Sequence, residues 1–135
     1  MPQVNPYLTF NGNAREAMTF YKESLGGELN LMTFGDAPQS MPGADKDQIM
    51  HAALRGDGFS LMASDNGGQK VVNGTSVTLS VNCHSTEESE RIFNNLAKGG
   101  KIIMPLDKTF WAERFGMLTD KFGMQWMINY ELPRG

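Results

Sequence analysis

The chain repeats itself. Gly58-Phe59-Ser60-Leu61-Met62-Ala63-Ser64 returns as Gly123-Met124-Gln125-Trp126-Met127-Ile128-Asn129, with glycine and methionine at a fixed offset of 65 residues. A second echo lies upstream of each copy. Glu16, Phe20 and Tyr21 stand 72 residues before Glu88, Ile92 and Phe93, and a glycine pair follows each set, Gly26-Gly27 and Gly99-Gly100. An internal repeat constrains the fold more than any local propensity does, because each copy must build the same supersecondary unit. Two half-domains of one design satisfy this order, and two such modules facing each other make a cleft.

Local patterning fills in each module. Val4 to Phe10 alternates and carries aromatics, which predicts a strand. Asn13 with Glu16 three residues on is a capping-box pattern, and Ala14, Ala17, Met18, Tyr21 and Leu25 make the apolar stripe of a helix that Gly26-Gly27 stops. Strands are expected over Glu28–Phe34, Gln48–Arg55 and Phe59–Ser64. A loop over Gly35–Lys46 separates the first two, and a Gly56-Asp57-Gly58 hairpin joins the last two. The second module repeats β-α-β-β-β. It has a strand over Thr75–Cys83, a helix capped by Ser85 and Glu88 with Ile92, Phe93 and Leu96 inward, and strands over Lys101–Met104, Phe110–Leu118 and Met124–Tyr130. Asp120 to Gly123 form the last turn. The prediction is a single α+β domain over residues 1–135, with module one at 1–65, a linker at 66–73 and module two at 74–135.

Composition excludes several classes. The net charge of −3 and the scattered basic residues offer no nucleic-acid or membrane face. No apolar run approaches the ~18 residues of a membrane span. The single cysteine, Cys83, excludes an internal disulfide and fits a cytoplasmic location. It precedes a predicted helix N-terminus, a setting that can lower a thiol pKa. The ten methionines suit an irregular, adaptable interior. No P-loop, zinc spacing or Ser-His-Asp order appears.

Three stretches carry a family resemblance across nearly the full length. They are Pro6-Tyr7-Leu8-Thr9-Phe10-Asn11-Gly12-Asn13 leading into Glu16-Ala17 and Phe20-Tyr21; His51-Ala52 with Leu61-Met62-Ala63-Ser64-Asp65; and Phe110-Trp111-Ala112-Glu113-Arg114-Phe115-Gly116 with Asp120-Lys121-Phe122-Gly123 and Trp126-Met127-Ile128-Asn129. On these the chain resembles the PhnB-like branch of the glyoxalase/bleomycin-resistance/extradiol-dioxygenase (vicinal oxygen chelate) superfamily. The resemblance implies paired βαβββ modules, curled sheets forming an open barrel around a ligand cavity, and a homodimer. The branch often bears a demethylubiquinone methyltransferase label. A methyl donor calls for a Gly-rich loop after a parallel strand with an acidic residue beyond, and neither is present.

Metal-dependent members place His or Gln on the first strand of a module and Glu on the last. Counting from the helices and hairpin glycines puts Pro6, Met62, Thr78 and Met127 at those positions. Proline has no donor and thioethers are poor ligands for hard divalent ions, so no metal and no cofactor are expected. The catalytic candidates are His51, an acid or base near neutral pH; Asp65, a strand-end carboxylate that is either a base, a turn former or a partner of Arg55; and Glu113, which faces a cavity if Trp111 does. The ligand-binding candidates are Tyr7, His51, Phe110, Trp111, Phe115 and Trp126, aromatic walls that equally serve as core. The favoured expectation is a metal-free small-molecule-binding homodimer. The alternatives are a metal- or acid/base-dependent lyase, isomerase or dioxygenase, and a structural or regulatory dimer with a vestigial cavity.

Overall fold

The computed structural model describes residues 2–36, 46–67 and 70–132. Most of the loop expected over Gly35–Lys46, and Gly68 and Gln69 of the expected linker, lie outside them. The chain folds as two compact units, Met1–Val72 and Asn73–Gly135. Unit one runs β1 (Tyr7–Phe10), α1 (Ala14–Leu25), β2 (Glu28–Thr33), a 3-10 turn (Phe34–Asp36), β3 (Ile49–Gly56) and β4 (Phe59–Asp65). Unit two runs β5 (Leu79–Asn82), α2 (Thr86–Ala97), β6 (Lys101–Asp107), β7 (Ala112–Thr119) and β8 (Gln125–Glu131). Each unit is therefore βαβββ, as the repeat demands. The sheets have the same open order, β1-β4-β3-β2 and β5-β8-β7-β6, with one parallel pair and two antiparallel pairs each.

One face of each sheet is packed by its helix. In unit one, Ala14, Ala17, Met18, Tyr21 and Ser24 of α1 are buried, along with Phe10, Ala52, Leu54, Leu61 and Ala63 of the sheet. In unit two, Ser89, Ile92, Phe93 and Leu96 of α2 are buried, with Leu118, Trp126 and Ile128. Strand alternation then assigns the intervening residues to the opposite, helix-free face. Gly116 fits the packed face, because a Cβ there would lie 2.7 Å from the Phe93 ring. The glycine pairs also have a packing reason. A Cβ on Gly27 would sit 2.7 Å from the Arg55 carbonyl oxygen, and one on Gly100 2.3 Å from that of Thr119. The chain leaving each helix thus presses directly on the backbone at the end of a strand.

Several expected bounds shift. β1 starts at Tyr7 rather than Val4, and β5 covers Leu79–Asn82 rather than Thr75–Cys83. A parallel strand forms only where its partner offers backbone groups, and alternation cannot sense this. β6 continues past Met104 to Asp107 through Pro105, which an edge strand tolerates because its missing N–H can face outward. Phe110 and Trp111 precede β7 instead of belonging to it. Thr109 forms a tight turn there, its Oγ1 accepting from the Trp111 and Ala112 N–H groups at 3.3 and 3.1 Å.

The two helices start differently. At α2 the Ser85 cap expected from the sequence forms, and Glu88 reaches back one residue further than in a capping box. Ser85 Oγ accepts the Glu88 N–H at 3.1 Å, and Glu88 Oε1 accepts the His84 N–H at 3.0 Å. At α1 the Asn13 side chain makes no cap hydrogen bond. The Ala14 N–H instead donates to Asp65 Oδ1 at 2.9 Å, from the end of β4. A carboxylate supplied by the fold displaces the local cap.

Candidate functional site

The helix-free face of the first sheet carries Tyr7 and Thr9 of β1, Met62 and Ser64 of β4, His51 and Ala53 of β3, and Asn30 and Met32 of β2, by register and alternation. Tyr7 and His51 come together there, ring centroids 6.0 Å apart and planes tilted 37°. Met62 lies directly across from Tyr7, and Met32 directly across from His51. Tyr7 is 49% exposed and Met32 44% exposed, so this cluster forms an apolar surface with one imidazole in it. Met32 belongs to no motif in the sequence. Its alternation with the half-buried Leu29, Leu31 and Thr33 was the available signal.

The helix-free face of the second sheet carries Ser80 and Asn82 of β5, Met127 and Asn129 of β8, and Phe115 and Met117 of β7. Phe110, Trp111 and Phe115 form an aromatic stair, with edge-on contacts of 4.8 Å and 5.3 Å between successive centroids. Glu113 is half-buried and sits where the register of β7 slips by one residue, between Ala112 and Arg114, so alternation does not carry it to the Phe115 side. Trp111, from which its facing was expected to follow, lies outside the strand. An amide pair that no sequence motif marks also lies on this face. Asn129 Nδ2 donates to Asn82 Oδ1 at 3.3 Å, and Asn129 Oδ1 is buried with no hydrogen-bond partner.

Two named candidates sit on the packed sides instead. Asp65 is 6% exposed, and both its oxygens accept backbone hydrogen bonds, Oδ1 from Ala14 and Oδ2 from Ile49 at 2.7 Å. It holds the start of α1 to the start of β3 rather than pairing with Arg55. Trp126 is 3% exposed, and its Nε1 donates to Asp120 Oδ2 at 2.7 Å. Asp120 Oδ1 accepts the Phe122 and Met124 N–H groups of the β7–β8 turn at 2.8 and 3.1 Å. That carboxylate organises the hairpin and the indole together.

At Cys83 the setting before a helix does not lower the thiol pKa. Burial, reinforced by Glu88, pushes its thiol up to about 11 although it stands just before a helix, and Arg91 offsets this only in part. Desolvation of the thiolate outweighs the helix N-terminus.

The positions at which metal-dependent members hold an ion are also decided by register. Met62 and Met127 do stand on the helix-free faces. Tyr7 pairs with Met62, but Leu79 pairs with Trp126, so the residue beside Met127 is Ser80. The two parallel pairs thus differ by one residue relative to the repeat, and one residue turns a side chain to the other face. The residues flanking the methionines are therefore Tyr7 and Ser80, not Pro6 and Thr78. A phenol, a hydroxyl and two thioethers do not fit a hard divalent ion. Among the described residues, no three His, Cys, Asp or Glu side chains gather as a metal-binding group. A methyl donor fits no better. β1 is followed by a single glycine, Gly12, and the Ala14 N–H at the α1 N-terminus is already taken by the Asp65 carboxylate.

Two open βαβββ sheets in tandem define the α+β class of the glyoxalase/bleomycin-resistance/dioxygenase proteins. Within it, the chain belongs to the PhnB-like family described as 3-demethylubiquinone-9 3-methyltransferase, whose model matches residues 2–129. It is 38% identical to protein YjdN of Escherichia coli K12 over 93% of each chain. Among solved structures it resembles protein PA1353 from Pseudomonas aeruginosa, at 48% identity, TM-score 0.88 and coverage of 97% of this chain and 98% of that one. It also resembles a Bacillus cereus PhnB protein described as a putative 3-demethylubiquinone-9 3-methyltransferase, at 28% identity and TM-score 0.81 over 96% and 99% of the two chains. No helix among the described residues is long and apolar enough to cross a membrane.

Proposed function

We propose that this chain is a metal-free small-molecule-binding protein that works as a cytoplasmic homodimer. Its ligand is aromatic or amphipathic and lies on the helix-free faces of the sheets. The observation that carries the reading is the Tyr7–His51 pair, 6.0 Å between centroids and bordered by Met62 and Met32. An aromatic ring offers a flat contact and thioethers adapt to irregular shapes. Covering such a surface gains about 25 cal/mol per Å² of apolar area, and one imidazole fixes orientation. The methionines stand where a metal-dependent member has its carboxylates, so the same positions serve apolar contact here. Phe115 and Trp111 extend the same chemistry to the second unit.

The test is native mass spectrometry of untagged protein purified without chelator, with titration of the fluorescent probe 8-anilinonaphthalene-1-sulfonate. The expected species is a dimer of 14.9 kDa chains without a stoichiometric divalent ion. His51→Ala and Met62→Glu are expected to weaken probe binding several-fold while the circular dichroism spectrum is kept. A divalent ion on every chain, or unchanged probe affinity in both variants, overturns the proposal.

A further inference from the structure

Edge strand β6 breaks the pattern of its repeat. Its counterpart β2 alternates between exposed and half-buried residues along its whole length. In β6, every residue from Lys101 to Pro105 is exposed, including Ile102 at 50%, Ile103 at 55% and Met104 at 43%. The hairpin that follows adds Phe110 at 90% and Trp111 at 44%. Five of the ten large apolar side chains left exposed among the described residues therefore fall within one edge strand and its turn. Apolar residues gathered this way mark a contact surface rather than scattered surface hydrophobes.

We propose that β6 is the contact by which two copies of this chain associate, lying antiparallel across a two-fold axis at Met104. This rests on the homodimer reading above and gives it a surface. The charges choose the occupant and its direction. Lys101 opens the strand, Asp107 closes it, and Ile102 to Leu106 between them carry no charge. Antiparallel about Met104, Lys101 meets the partner's Asp107 and Asp107 meets the partner's Lys101, with apolar residues facing between. The parallel arrangement sets like charges together. A strand complementary to itself in this way makes an isologous, closed contact. Side chains rather than continuous backbone pairing make it, because Pro105 and two register shifts against β7 interrupt the strand edge. The same interruptions stop further strand addition.

The test is sedimentation equilibrium of the full chain across micromolar concentrations, where contacts of this modest size dissociate. Lys101→Asp and Asp107→Lys each replace two attractive pairs with repulsive ones, and each is expected to weaken the dimer about tenfold or more. The double variant K101D/D107K restores the pairing and is expected to return to near the wild-type dissociation constant. Both sites are exposed, and circular dichroism checks that the fold is kept. As a second measurement, Met104→Cys is expected to give a disulfide-linked dimer on oxidation, since the native Cys83 is buried. A wild-type dimer insensitive to the single charge reversals, or a double variant that fails to recover, overturns the β6 contact and leaves the homodimer standing. A wild-type chain that stays monomeric at all concentrations overturns both.

Discussion

Replacing Asp65 is expected to cost more stability than replacing any residue the local sequence marks as a cap. Its buried carboxylate accepts from two backbone groups, Ala14 N–H at 2.9 Å and Ile49 N–H at 2.7 Å. These join the first turn of α1 to the start of β3. Asp65→Ala leaves both N–H groups without their acceptor. A buried unsatisfied donor costs about 1–3 kcal/mol, and bonds to a charged acceptor lie toward the upper end, so the loss should be about 3–5 kcal/mol. Asp65→Asn keeps one acceptor but turns an NH₂ toward the other donor, so about 2 kcal/mol is expected. The control is Asn13→Ala at the position the sequence nominates as N-cap. Its side chain makes no cap bond, and the change should stay within about 0.5 kcal/mol. Urea unfolding followed by circular dichroism reads the difference. With a slope of about 2 kcal/mol per molar, Asp65→Ala should lower the midpoint by roughly 2 M. A loss below about 1 kcal/mol for Asp65→Ala, or an Asn13→Ala loss as large, would mean that these two bonds do not hold α1 to β3.

Cys83 should react slowly with iodoacetamide in the folded protein at pH 8 and accelerate only as the pH nears its raised pKa of about 11, and a rapid native reaction at pH 8 contradicts its burial. Because folding raises this pKa from 9.0, the unfolded chain loses the proton first. The thiol's contribution to stability is therefore complete below about pH 9 and falls as the pH rises toward 11, which Cys83→Ala should remove from the pH–stability curve. Gly100→Ala forces a Cβ to within 2.3 Å of the Thr119 carbonyl oxygen, and a loss of about 2 kcal/mol or more in urea unfolding is expected. A neutral Gly100→Ala would mean that the chain leaving α2 has room to move.

The architecture was legible in the order of residues alone. A repeat of glycine, methionine and helix signals, read with periods of 2 and 3.6, required two βαβββ modules, because each pattern buries an apolar face in only one way. That order also marked Tyr7, His51, Phe110, Trp111 and Phe115, and the structure gathers them into two clusters, one in each unit. Tertiary structure decided how each candidate is used. Asp65 caps a helix 51 residues away in sequence, and Trp126 turns to the packed side to meet Asp120. Ser80, rather than Leu79 at the repeat equivalent of Tyr7, stands beside Met127. None of these was legible locally. A carboxylate's partners and a parallel strand's register depend on which backbone groups the fold brings near, and one residue of register reverses the face a side chain occupies.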